Sequence, residues 1–191
     1  MNATNTQASG PRLPLVTEPT DPEAIAQFAS IRARTGRILN LHRMMGHSPA
    51  MMKASADTAM ALRHGTQLPR SLIEVVILRT AQLMRSDYEW QQHHPMALAN
   101  GVSQEKIDAV ADWRDSKLFP PAETAALAYA ECVALGTEAE PAIFARLQEH
   151  FSPREIVELT MLVAQYMATA RFIQALGVPL EDTGARPKPS S

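Results

Sequence analysis

Apolar residues along the chain recur at three- and four-residue spacings, and β-branched residues nowhere alternate with polar ones over a useful length. That periodicity predicts helices throughout and no strands. "DPEAIAQFASIRART" opens with Asp21 as a cap and Pro22 in the first turn, and it places Ile25, Phe28 and Ile31 on one face. "ILNLHRMMGH" reads as a short apolar helix, and "SPAMMKASADTAMALRH" starts at a Ser-Pro cap and stops at Gly65. "PRSLIEVVILRTAQLMR" is the most apolar segment and is expected to run through the centre of the fold. A helix ending at Asn100-Gly101 follows, then "SQEKIDAVADW", whose Ser103 cap lacks the acidic residue of a full capping box because Lys106 stands there. "PAETAALAYAECVALG", "EPAIFARLQEH" and "SPREIVELTMLVAQYMATARFIQALG" complete an all-α chain.

One stripe breaks the apolar rule. In "SDYEWQQHHPMALANG", Ser86, Glu89 and His93 fall within about 60° of one another on a helical wheel, on the side that also carries Trp90, Met96 and Ala97. Carboxylates and imidazoles are costly to desolvate, so such a stripe calls for a partner or a cavity. Pro95 two residues on either kinks this helix or divides it into two. Glu89 and His93 are neighbours at i and i+4, where the carboxylate favours imidazolium and burial favours neutral imidazole. That competition suits a general acid–base group.

Composition changes the picture only by exclusion. The 191 residues are 46% hydrophobic and 20% charged, with a formal net charge of −2, which fits one globular domain over residues 21–178. Neither a nucleic-acid surface nor a polybasic membrane surface is expected, and no apolar run reads as reaching the roughly 20 residues of a bilayer span. Residues 1–20 read as a flexible arm, and the Pro- and Ser-rich residues 179–191 as a disordered tail. Cys132 is the single cysteine, so no internal disulfide is possible; a cytoplasmic location and a buried, inert thiol are expected. No metal-ligand set of recognised spacing and no nucleotide-binding glycine pattern is present, so no metal and no cofactor is expected. Met44, Met45, Met51 and Met52 read as core or subunit interface.

Shifting the chain by 84 residues aligns Pro69, Arg70, Glu74 and Leu78 with Pro153, Arg154, Glu158 and Leu162. This suggests two related helical units, about 30–115 and 120–178, from an internal duplication. The stripe does not repeat, since Ser86, Glu89 and His93 correspond to Ala170, Ile173 and Gly177.

Glu74 stands twelve residues before Ser86, giving Glu-x11-Ser-x2-Glu-x3-His. With "EVVILRTAQL" before it, "YEWQQH" within it and "ALANGVSQEKI" after it, this arrangement resembles the carboxymuconolactone decarboxylase and AhpD-like family over residues 30–115. The resemblance implies an AhpD-like helical fold, a homo-oligomer (dimer, trimer or hexamer) and a pocket between helices lined by the motif residues. In the family's peroxidase branch the pattern is Glu-x11-Cys-x2-Cys-x3-His. Ser86 and Glu89 replace both cysteines here, so a dithiol cycle has no residues to run on.

The leading expectation is therefore cofactor-independent decarboxylation, or related lyase or isomerase chemistry, on a small carboxylated lactone or similar organic acid. His93 would supply a proton, Glu89 and Glu74 would set its state, and Ser86 would hold an oxygen. Arg79, with Arg43 and Trp90 beside it, would bind substrate. Two other readings stand next to this one: a peroxidase-related protein without the dithiol route, and a non-catalytic small-molecule-binding or assembly protein of the same fold.

Overall fold

The computed structural model describes residues 10–136 and 138–182, and among these it contains nine helices and no strand. They are α1 (Pro22–Thr35), α2 (Asn40–Met45), α3 (Pro49–His64), α4 (Arg70–Met84), α5 (Asp87–Ala99), α6 (Gln104–Asp108), α7 (Pro121–Ala134), α8 (Pro141–Gln148) and α9 (Pro153–Leu176). The starts follow the expected caps. Asp21 accepts from Ala24 N at 2.9 Å, and Ser103 from Lys106 N at 3.2 Å. Ser152 and Glu155 form a reciprocal capping box at the head of α9. On α1, however, Ala24, Phe28 and Ile31 are buried, whereas Ile25 is 49% exposed. The buried row runs i, i+4, i+7, one step round from the expected face.

α4 is buried on nearly every side and organises the rest. Leu72, Ile73, Val76 and Ile77 face a core shared with α7 and α9, including Ala126, Ala130, Leu159, Leu162 and Val163. Val75, Leu78 and Ala81 face a second core with Trp90, Ile107, Trp113 and Leu127. The 84-residue echo has a structural counterpart, because Arg70–Glu74 and Arg154–Glu158 are both i, i+4 ion pairs, at 2.7 and 2.8 Å. The two helices that carry them pack into one common core. α9, with 24 residues and an 18-residue window of mean hydropathy 1.3, is long and apolar enough by length and composition to cross a membrane, a run the sequence reading does not expect. One face of α9 is committed to the core through Ile156, Leu159, Leu162, Val163 and Tyr166.

Both chain ends are more tightly placed than expected where they are described. From Gly10 onward the arm lies on the body, with Arg12 N donating to Leu176 O at 2.9 Å and Val16 N to Arg43 O at 3.2 Å. At the other end, residues 179–182 cross α2 and α5. Glu181 Oε1 accepts from Asn40 N at 2.6 Å and from the Tyr88 hydroxyl, while Gln91 Nε2 donates to the Glu181 carbonyl at 2.9 Å. Residues 1–9 and 183–191 lie outside the described residues. Cys132 is half-buried on α7 rather than fully buried.

The α4–α5 connection is the turn on which the site depends. α4 ends at Arg85 in the left-handed conformation (φ 53°), and Ser86 N returns to Ala81 O at 2.8 Å. This tight reversal makes α4 and α5 a helical hairpin. Arg85→Gly is expected to be neutral or to stabilise by up to about 1 kcal/mol, because glycine adopts this backbone freely. Arg85→Val should destabilise by at least about 1 kcal/mol. Denaturant unfolding of both variants checks the pair.

Candidate active site

The hairpin brings Glu74 of α4 and His93 of α5 together, with His93 Nδ1 2.8 Å from Glu74 Oε2. The other carboxyl oxygen of Glu74 accepts from Arg70 Nη2 at 2.7 Å, and Glu74 has no exposed surface. Paired with a guanidinium, Glu74 is an acceptor, so His93 donates from Nδ1. In a neutral ring that leaves the lone pair on Nε2. The Tyr166 ring of α9 packs edge-on against His93, with centroids 4.9 Å apart. Glu74 thus fixes the imidazole from behind and Tyr166 from the side.

Glu89 is held differently. It is 3% exposed, and neither carboxyl oxygen has a hydrogen-bond partner among the described residues. Burial pushes its carboxyl up to about 8, and the nearby Ser86 hydroxyl opposes this only in part. Glu89 is therefore a neutral carboxylic acid at pH 7. Its neighbour on the helix is His93, yet His93 bonds to Glu74 and not to Glu89. α5 itself is continuous through Pro95.

Glu89 and His93, with Gln92 and Met96 of the same α5 face, line a cavity of about 390 Å³. Its other walls come from α1, the loop after it, α2, α3 and α9, and they supply Arg34, Arg37, His42, Arg63 and Tyr166 among polar groups and Ile31, Leu41, Met45, Met52 and Met60 among apolar ones. The methionine cluster is thereby divided. Met45 and Met52 face the cavity, Met44 is buried in a small core with Tyr88 and Ile173, and Met51 is 62% exposed.

Five expected site residues do not line this cavity: Glu74 stands behind His93, and four others are placed elsewhere. Ser86 caps α5, its Oγ accepting from Glu89 N at 3.5 Å, and it is absent from the lining. Trp90 is packed in the second core. Arg43 is turned to Asn40, with Nη1 3.4 Å from Oδ1. Arg79 is paired with Glu131 of α7, its Nη2 2.7 Å and Nε 2.8 Å from Oε1. Trp113 Nε1 (2.9 Å) and Arg114 complete the donors around that carboxylate. Arg79 is thus part of a structural ion cluster and not a substrate ligand. Among the described residues, no group of three or more His, Cys, Asp or Glu side chains is placed to hold a metal ion.

Arg37, Arg63 and His42 were missed by sequence reasoning. They come from a loop, α3 and α2, and no local spacing links them. Burial first, then Arg63, Arg34 and Arg37, lower the His42 imidazole to about 4. Its Nδ1 accepts from Leu39 N at 3.2 Å, so the ring proton is on Nε2.

A helical hairpin that seats a buried carboxylate behind a cavity-lining histidine, within an all-helical architecture, matches the AhpD-like helical fold. Residues 49–131 match the model of the carboxymuconolactone decarboxylase family. Uncharacterized protein YnjA of Escherichia coli (strain K12) is 39% identical over 80 residues, a stretch covering 41% of this chain and 44% of YnjA. An uncharacterized peroxidase-related protein of Ralstonia eutropha JMP134 with an alkylhydroperoxidase AhpD core shares the fold at a TM-score of 0.78, with 19% identity over 92% of this chain and 94% of that one. The debrominase Bmp8, solved in complex with 2,3,4-tribromopyrrole, shares it at 0.75, with 19% identity over 90% and 94% of the two chains. At these identities the two structures establish the fold alone.

Two pH effects on stability follow with opposite signs. For Glu131, burial would raise the carboxyl, but Arg114, Trp113 and Arg79 together hold it below its ordinary 4.5. Its stabilisation is complete above that value and is lost as the pH falls through the lower folded value. Glu131→Gln should flatten the acid limb of the stability curve. For Glu89 the folded carboxyl stays protonated up to about 8 while the unfolded one ionises near 4.5. Stability therefore falls between those values, by up to about 1.4 kcal/mol per pH unit. Glu89→Gln should remove that slope, so that the variant is more stable than wild type at pH 9; urea titrations from pH 3 to 9 test both.

Proposed function

We propose that this protein is a cofactor-independent lyase or isomerase acting on a small organic acid, most simply by decarboxylation. The observation that carries the reading is Glu89: a buried carboxylic acid with no ion-pair partner among the described residues, in a cavity wall beside a histidine whose other face is already fixed. An unpartnered buried acid is costly, and a cavity that brings it an acceptor gives that cost a use. In decarboxylation the bond to the carboxylate carbon breaks, carbon dioxide leaves, and the electron pair passes into an adjacent carbonyl. Glu89, in its acid form, donates a hydrogen bond to the developing enolate oxygen. His93, as imidazolium, delivers the Nε2 proton to carbon, with Glu74 supporting the charge through Nδ1. The route uses no thiol, which agrees with Ser86 and Glu89 in place of a cysteine pair.

The partner in this reading is a small molecule and the setting cytoplasmic; nucleic acid and membrane have no part in it. We further propose a homo-oligomer. The outer face of α9 leaves Val157 at 63% and Met161 at 49% exposure, large apolar groups on a helix whose other face is buried.

A screen of small lactone and β-keto carboxylates, followed by carbon dioxide release, tests the activity. His93→Ala should lower kcat by on the order of 10²–10⁴-fold. Glu89→Gln should abolish the alkaline fall in rate centred on about 8, while Cys132→Ser leaves turnover intact. Carbon dioxide release that is indifferent to both His93 and Glu89, or a robust peroxide turnover that depends on Cys132, would overturn the reading. For the assembly, light scattering should show a multimer that Met161→Asp reduces to monomer.

A further inference from the structure

Three guanidiniums reach the cavity, and they are not equally satisfied. Arg34 lies 3.4 Å from Asp57, a half-exposed carboxylate that Lys53 shares at 2.6 Å. Arg37 Nη2 donates to the neutral amide oxygen of Gln92 at 2.9 Å. Arg63 Nε donates to the Ala59 carbonyl at 3.1 Å, and its Nη2 lies 3.9 Å from the Met60 sulfur. Among the described residues, no carboxylate lies within ion-pair distance of Arg37 or Arg63. Glu89, which lines the same cavity, is protonated and offsets neither. Among the described residues, Arg37 and Arg63 thus stand on the cavity wall without a carboxylate partner, Arg63 half-buried and Arg37 exposed.

Their positions relative to the acid–base pair are fixed by intermediates. Arg37 is tied to Gln92, which stands three residues after Glu89 and one before His93 on the cavity face of α5. Arg63 lines the same cavity as Tyr166, which packs on His93. His42 lines it too; burial first, then the arginines, keep its imidazole neutral, with its one proton on Nε2. It is a donor that adds no further charge.

We propose that Arg37, Arg63 and His42 form an anion-binding subsite that takes a carboxylate of the ligand and holds its remaining carbon frame against Glu89 and His93. The apolar wall of Ile31, Met45, Met52 and Met60 suits a carbon frame and not a polyhydroxylated one. Guanidinium pairs with carboxylate in a planar, two-point fashion, and a neutral imidazole N–H adds a third donor. The subsite concerns the same cavity as the activity proposed above, but it rests on charge and donor geometry and stands whether or not turnover occurs.

Calorimetric titration of the full chain with succinate, propionate and inorganic phosphate, at low fixed ionic strength, tests it. Succinate should bind, and Arg37→Gln and Arg63→Gln should each weaken it by about tenfold or more, the usual consequence of losing a charged hydrogen bond. Arg63→Lys and Arg37→Lys, which keep the charge, should recover part of the affinity and serve in place of any Gln variant that does not fold. Cys132→Ser, on α7 and outside the cavity lining, should leave succinate affinity within about threefold. Failure of both carboxylates to bind, binding indifferent to Arg37 and Arg63, or phosphate binding tighter than either carboxylate would each overturn the assignment.

Discussion

Glu74 is a carboxylate with no exposed surface on a helix that is buried almost all round, and the site is built outward from its two hydrogen bonds. An ionised carboxylate in such a position is tolerated only when both oxygens are satisfied. One is taken by Arg70 on the same helix, which is local and follows from i, i+4 spacing. The other is taken by His93, nineteen residues on, and this requires the hairpin turn at Arg85. The two apolar cores on either side of α4 hold the helix in place, so Glu74 cannot turn to water. Packing thereby sets the tautomer of a histidine.

Two buried carboxyl groups, one behind the cavity wall and one in it, have contrasting surroundings. Glu74 is compensated by a guanidinium and serves as an acceptor. Glu89 has no compensating group and is held as an acid. The two carboxyls thus differ in what surrounds them: Glu74 accepts from Arg70 and His93, while Glu89 has no ion-pair partner among the described residues. Ser86, which the motif places between them, works on the backbone as the cap of α5, accepting from Glu89 N in its first turn.

The helices were legible because 3.6-residue periodicity and terminal caps are local signals. The Glu74–His93 contact was legible because the motif spacing of a known family carried it across the turn. The ligands of the cavity were not. Arg79 has the right charge, but its partner Glu131 stands fifty-two residues away and claims it. Trp90 falls on the stripe, yet the second core takes its ring. Conversely, Arg37, His42 and Arg63 converge from a loop and two helices, and only tertiary packing assembles them. Charge type reads from the chain; which charges remain unpaired does not.

The strap at residues 179–182 bears on how far the acid–base half of the site can be transplanted. The segment matching the family, residues 49–131, holds Glu74, Glu89 and His93, together with Tyr88 and Gln91. Glu181, outside it, accepts from the Tyr88 hydroxyl and, through its carbonyl, from the Gln91 amide, and reaches Asn40 of α2 as well. A graft of residues 49–131 into a related scaffold would carry the Glu74–His93 pair but leave Glu181 behind. It would also leave behind α2, and with it Leu41, His42 and Met45 of the cavity wall. A chimera that preserves the chemistry of this chain must therefore bring three separated stretches: the hairpin, the α1–α2 region and the strap that ties α2 to α5.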